Sequence, residues 1–192
     1  MEKIISLYMR NYNGDRLVRD EIVSGAEWVI ADEGIATRKH DGTCCLMRGG
    51  RLYKRYDAKR GKTPPAAFEP AQDPDPITGH WPGWLPVSDV PEDQWHRDGL
   101  RNTVEAWGTV VDGTYELVGP RIQNNTEGFY EHRLIRHGSV VLDDSFERVP
   151  RDFAGIKGYL TTHVLEGIVW HHPDGRMVKI KRRDFGLSWP MR

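Results

Sequence analysis

The sequence predicts an α+β fold with antiparallel sheets, and three turn signals together with two helical candidates lead there. Two short β-prone runs, Cys44 to Arg48 and Arg51 to Tyr56, flank Gly49-Gly50 and read as a hairpin with a primed turn. Thr103 to Val111 and Thr114 to Val118 flank Asp112-Gly113, a second hairpin signal. Glu166 to His172 and Arg176 to Arg182 flank Pro173-Asp174-Gly175, a third. The helical candidates are residues 127–138 and 145–161, the second opening near Ser145 or only at Pro150. Leu134-Ile135 and Val140-Val141-Leu142 read equally well as strands.

The remaining segments fit around these. Residues 1–35 alternate short apolar runs with charges and are punctuated by Gly14, Gly25 and Gly34, so short strands and turns are expected rather than one long helix. Residues 63–98 hold most of the prolines along with Trp81 and Trp84. That is too aromatic for a flexible linker, so an ordered loop insertion lying against the domain is expected. The 192 residues fit one domain, 1–192, with that insertion inside it.

Composition narrows the function classes. With 27 basic and 28 acidic residues, any nucleic-acid contact must come from a local patch; Arg51, Lys54, Arg55, Lys59, Arg60 and Lys62 read equally as a phosphate-contacting strand beside Lys39 or as a solvated edge strand. No apolar run approaches a membrane span, and the N-terminus lacks a signal-peptide core. Cys44 and Cys45, the two cysteines, are adjacent. In a strand they point to opposite faces, so a stapling disulfide is disfavoured and a reducing, cytoplasmic setting is expected. The same count excludes a cysteine-based zinc site.

The chemistry centres on Ala36 to Cys45, which contains Lys39-His40-Asp41-Gly42. Lys-x-Asp-Gly is the smallest readable form of a nucleophilic-lysine site, although most such lysines are solvated beside an Asp-Gly turn. An ordinary lysine, with a pKa of about 10.4, must lose its proton to attack phosphorus, which takes burial or nearby cations. In the last hairpin Lys179 and Lys181 share a face. A two-residue turn would pair Trp170 with Lys179 and Ile168 with Lys181, and would put Glu166 on that face too; a three-residue loop would break the inference. Glu116 sits mid-strand, where an acid is out of place unless it faces a polar cleft or solvent. A salt-bridged solvent face is the ordinary outcome for such alternation. A nucleoside triphosphate site would use the same residues: cations on the phosphates, an oxygen ligand for a divalent metal, and an acceptor for ribose hydroxyls.

Taken in order, Lys39-His40-Asp41-Gly42, Glu116-Leu117-Val118-Gly119, Glu166-Gly167-Ile168-Val169 and Lys179-Ile180-Lys181 resemble the motifs of the covalent nucleotidyltransferases. These comprise the ATP-dependent RNA and DNA ligases and the mRNA capping guanylyltransferases. The run Glu116 to Asn125, Asp41-Gly42-Thr43-Cys44-Cys45, Glu166 to His171 and Gly186-Leu187 with Trp189-Pro190 are most similar to the 5′-phosphate/3′-hydroxyl RNA ligase family of vertebrates and its viral and bacterial relatives.

The resemblance implies antiparallel sheets flanking a nucleotide cleft, ATP-grasp-like, with no OB-fold in the chain. It implies that Lys39 attacks the α-phosphorus of ATP to give lysyl–AMP, that AMP passes to an RNA 5′-phosphate, and that a 3′-hydroxyl displaces it. Glu116 would hold the ribose, Arg55 phosphate or ribose, and Lys179 and Lys181 the α-phosphate, while Glu166 would position Mg²⁺ or Mn²⁺. Thr37, Arg38, Asp41 and Gly42 would complete the nucleotide site, and His137 lies near where relatives stack an aromatic on the base. Arg38 stands where many relatives carry Glu, which bears on the adenine contact. A monomer acting on RNA with 5′-phosphate and 3′-hydroxyl ends is expected. The alternatives are a GTP-dependent capping-type transferase and a non-catalytic nucleotide- or RNA-binding module.

Overall fold

A computed structural model describes residues 4–76, 78–143 and 147–190. Along them strands form at Ile5–Ser6 (β1), Tyr8–Arg10 (β2), Val18–Ile22 (β3), Ile35–Lys39 (β4), Thr43–Arg48 (β5) and Arg51–Ala58 (β6). Further strands lie at Glu69–Pro70 (β7), Trp81–Pro86 (β8), Gly113–Val118 (β9), Arg133–Arg136 (β10), Gly167–His171 (β11) and Met177–Lys181 (β12). The α-helices are Glu27–Ile30 (α1), Gln94–Trp107 (α2) and Phe153–Thr162 (α3). The fold is α+β with antiparallel sheets; the parallel pairing of short β1 with β12 is the exception. No helix among the described residues is long and apolar enough to cross a membrane.

Two compact units divide the chain: Asp41–His137, and Ile4–His40 together with the residues from Gly138 onward. In the latter, the sheet β1-β12-β11-β4 carries a core on one face. Alternation sets it up: Val178 and Ile180 of β12 are buried while Lys179 and Lys181 between them are half-buried. Ile168, Trp170 and Ala36 extend the same apolar face, and Leu7, Val29, Ile156 and Leu160 pack against it. Each fully buried side chain of this size contributes about 1.5–3 kcal/mol. Helix α3 starts after Pro150, where the Asp152 side chain accepts the Gly155 N–H at 2.9 Å as an N-cap. The alternative start at Ser145 lies outside the described residues.

The unit Asp41–His137 is built on an antiparallel sheet in the order β10-β9-β5-β6-β8-β7. The Gly49-Gly50 hairpin forms as expected: Arg48 pairs with Arg51, and the glycines take φ of 56° and 72°, the left-handed values a primed turn requires. Cys45, Met47, Leu52, Tyr115, Leu117 and Leu134 make the core, and Trp95 and Leu100 of α2 pack on it. Gly99 lets the helix approach, since a Cβ there would strike Leu117 Cδ1. The Thr103 hydroxyl donates to the Gly99 carbonyl at 2.6 Å and accepts the Leu134 N–H at 2.9 Å, tying α2 to β10. Within residues 63–98, β8 pairs with both β6 and β7, Trp84 is buried, and Trp81 packs edge-on against Phe68 at 5.1 Å.

Two local expectations are corrected. Residues 103–107 finish α2 instead of forming a strand, so Asp112-Gly113 follows a helix and joins no hairpin. Residues 127–138 form no α-helix: β10 runs through them and pairs with β9.

Candidate active site

In the unit that contains Lys39, β11 lies between β4 and β12. Gly167 is paired with Lys39 on one side and Lys181 on the other; Val169 is paired with Thr37 and Lys179. Directly opposed residues share a face. Thr37, Lys39, Lys179 and Lys181 therefore project from the face opposite the Ile168–Trp170 core. Gly167 is required by the close packing, because a Cβ there would run into the Ile180 carbonyl oxygen.

The hairpin register differs from the two-residue expectation. His172 N–H donates to the Arg176 carbonyl at 2.9 Å, which leaves Pro173-Asp174-Gly175 as a three-residue loop. Lys181 thus faces Gly167, not Ile168, and strand parity no longer places Glu166 with the lysines. Glu166 reaches them anyway from the position just before β11. Its Oε2 accepts from Lys39 Nζ at 2.5 Å and its Oε1 from Lys181 Nζ at 3.0 Å. The Glu166 side chain is 5% exposed, against 19% for Lys39 and 34% for Lys181. Lys39 Nζ also donates to the His40 carbonyl at 3.2 Å. One carboxylate shared by two ammonium groups leaves a net positive cluster, which is complementary to phosphate. The buried Thr37 hydroxyl donates to the Val169 carbonyl at 3.0 Å. By alternation Arg38 projects from the other face of β4.

A second cluster occupies the unit Asp41–His137. Glu116 lies on β9 between Cys44 of β5 and Ile135 of β10. Its neighbours Tyr115 and Leu117 enter the core, so Glu116 takes the polar face the sequence assigned to it. Oε1 accepts the Gly42 N–H at 3.1 Å, and Oε2 is 2.9 Å from His137 Nε2. A Cβ on Gly42 would strike the Leu117 carbonyl oxygen. The Asp41 N–H donates to the Glu127 carboxylate at 2.8 Å, and Asp41 Oδ2 accepts the Thr126 hydroxyl at 2.9 Å.

The loop beside this cluster is strained. Gln123, Asn124 and Asn125 take φ of 46°, 56° and 54° in succession, a left-handed run that costs non-glycine residues roughly 1–2 kcal/mol each. Gln123 Nε2 donates to the Gly42 carbonyl at 3.3 Å, and Asn125 Oδ1 is buried with no hydrogen-bond partner. Sequence reasoning missed Thr126 and Glu127, which carry no local signal beyond following the Glu116–Asn125 run. Arg55 shares the Cys44 face, since its neighbour Lys54 pairs with Cys45. The Arg55 guanidinium lies 4.9 Å from the Trp84 ring centre and borders a cavity of about 400 Å³ with Asp57, Gln72 and His80. Burial pushes the Cys45 thiol well up, with Cys44 and Glu116 adding to it, so Cys45 stays protonated at neutral pH.

Lys39, Glu166 and Lys181 are thus gathered in one unit and Asp41, Gly42, Glu116 and His137 in the other, with the chain passing between units after His40. A family model described as RNA ligase 1 matches residues 97–192. RNA ligase 1 of Pongo abelii is 25% identical over 223 residues, spanning 82% of this chain and 69% of that protein. RNA ligase 1 of Rattus norvegicus gives the same figures, and that of Danio rerio is 27% identical over 143 residues, spanning 59% of this chain. The matched segment contains Glu116, His137, Glu166, Lys179 and Lys181.

Proposed function

The chain belongs to the RNA ligase 1 family, and on that premise we propose that it is an ATP-dependent RNA ligase that joins 5′-phosphate and 3′-hydroxyl ends through lysyl–AMP. What supports this reading most is the Lys39–Glu166–Lys181 cluster, with Nζ-to-carboxylate distances of 2.5 and 3.0 Å on a half-buried sheet face. Glu166 holds the nucleophile in place as an ammonium until nucleotide arrives, and Lys181 supplies the second positive charge. Loss of the Lys39 ammonium proton to solvent frees a lone pair to attack the α-phosphorus; the N–P bond forms as the bond to pyrophosphate breaks, the nitrogen gives up a second proton to solvent, and Lys181 and Lys179 stabilise the charge on the phosphate oxygens. Glu116, fixed by the Gly42 N–H at 3.1 Å, is the acceptor for the ribose hydroxyls.

A divalent cation fits the donor chemistry at Glu166 only when Lys39 no longer claims Oε2, so cation and lysine proton exchange for one carboxylate. The Glu166 carboxylate would hold Mg²⁺ or Mn²⁺, which supplies charge neutralisation at the phosphates. RNA follows from the family; Arg51 and Arg55, on the face of β6 opposite Lys54, with Lys59, Arg60 and Lys62 beyond the strand, are the cations offered for the phosphate backbone.

The test is sealing of 5′-labelled RNA with ATP, with GTP in parallel, for wild type and Lys39→Ala. Wild type is expected to seal with ATP and to form adenylylated RNA. Lys39→Ala should lose ATP-driven sealing yet still join RNA supplied with a pre-adenylylated 5′ end, because that last step needs no lysine nucleophile. Sealing with GTP alone, or ATP-driven sealing by Lys39→Ala, would overturn the reading.

A further inference from the structure

We propose that Cys44, Glu116 and His137 form a binding site for a soft divalent cation of the zinc class, with one coordination position left open. The fold brings the three together through register. Cys44 of β5 pairs directly with Glu116 of β9, which pairs with Ile135 of β10. His137 stands two residues beyond Ile135 and so returns to the same face, its N–H bonded to the Thr114 carbonyl at 3.0 Å. A thiol sulfur, a carboxylate oxygen and an imidazole nitrogen then lie within 4.8 Å of one another, all three residues half-buried. Cys45 takes no part, because it faces the core.

The donor set selects the cation. Sulfur and nitrogen are poor ligands for Mg²⁺, whereas thiolate, imidazole and carboxylate together suit Zn²⁺ or Co²⁺. Three protein ligands and one open position is the arrangement of reactive zinc sites, not of closed structural ones. Ligand bonds of about 2.0–2.3 Å bring donor atoms closer than 4.8 Å, a change that side-chain rotation of about an ångström supplies. His137 is tethered at its ring through Nε2, while Nδ1 is buried without a hydrogen-bond partner. Nε2, already 2.9 Å from the Glu116 carboxylate, is the nitrogen placed to bind the cation, and Nδ1 is the one that carries the proton. On binding, the Cys44 S–H proton goes to solvent, the His137–Glu116 hydrogen bond is replaced by two metal bonds, and the imidazole keeps one proton on the nitrogen turned away from the ion.

One consequence rests on the ligase reading: the cation takes the carboxylate assigned to the ribose, so zinc-class ions inhibit nucleotide transfer. Titration of the tag-free full chain with Co²⁺ alone tests the site without reference to activity. A sulfur-to-cobalt charge-transfer band should saturate at one equivalent and disappear on adding Zn²⁺. Cys44→Ser should lose the band and bind at least about tenfold more weakly, and His137→Ala should weaken binding by a similar factor. His172→Ala should match wild type; His172 is half-buried in a separate cluster with the exposed carboxylates of Glu33 and Asp174. No band in wild type, or a band unchanged in Cys44→Ser of native circular dichroism, would overturn the proposal. With ATP label added, Zn²⁺ should suppress labelling of wild type but not of Cys44→Ser. Failure to label at all without zinc would count against the ligase reading and leave the cobalt titration as the test of the site.

Discussion

Replacing Glu166 with Gln probes the centre of the proposed chemistry through stability alone. The wild-type carboxylate, 5% exposed, neutralises Lys39 at 2.5 Å and Lys181 at 3.0 Å. The amide is isosteric but uncharged, and its NH₂ would face one of the two ammonium groups. Removing one partner from a fully buried ion pair costs about 3–5 kcal/mol. Here Lys181 is a third exposed and recovers water, so the expected loss is about 2–4 kcal/mol. At about 2–4 °C per kcal/mol for a chain of this size, Tm should fall by roughly 5–15 °C. The double variant Glu166→Gln/Lys181→Met should be more stable than the sum of its singles by about 1–2 kcal/mol, because it also removes the stranded cation. Calorimetry or thermal circular dichroism measures both. A Tm for Glu166→Gln within a degree of wild type, or strict additivity in the double variant, would refute the electrostatic account of the cluster.

Four further outcomes test other parts of the fold. Lys54→Met should destabilise by about 2–4 kcal/mol in urea, because Asp93 is 1% exposed and would lose its ion-pair partner. Arg148→Ala, which breaks an exposed pair with Asp32, should stay within about 0.5 kcal/mol of wild type. Burial lowers His96 and His132 from the ordinary 6.5, and both ring nitrogens of His96 are buried without partners. The unfolded chain therefore takes up protons first. Stability is full above about 6.5 and is lost as pH falls through the lower folded values, so urea midpoints should drop between about pH 8 and pH 5.5, less so in His96→Gln. Asp152→Ala removes the N-cap of α3 and should cost about 1 kcal/mol, read from the same urea transitions.

What the sequence disclosed and what it hid follow from the range of the forces involved. The Gly49-Gly50 turn was readable because its chemistry is local: two left-handed residues and nothing distant. Thr103 to Trp107 misled because their β-branched and aromatic character is local, whereas the contacts that make them helical are not. Gly99 against Leu117 and the Thr103 hydroxyl against Leu134 belong to tertiary packing. The same holds for 127–138, where β10 is a strand because β9 lies beside it.

The candidate site shows both sides. Glu116 was expected to face a polar cleft or solvent because an acid in mid-strand is otherwise out of place; its neighbours Tyr115 and Leu117 enter the core while its carboxylate accepts the Gly42 N–H. Glu166 was placed with Lys179 and Lys181 by a two-residue turn that the chain does not use. The contact with Lys181 exists because Glu166 sits just ahead of β11, where strict strand parity no longer decides where its side chain points. Thr126 and Glu127 were invisible, since a loop that owes its shape to a strained left-handed run has no periodicity to read.

The central claim is that Lys39 is the nucleophile. It is tested most directly by incubating the chain with α-phosphate-labelled ATP and Mg²⁺, denaturing, digesting and locating the label by tandem mass spectrometry. The account predicts one AMP per chain, on Lys39, stable to base, released by acid as a phosphoramidate is, and absent from Lys39→Ala. Label on any other residue, or a folded wild-type chain that takes up none, would contradict it.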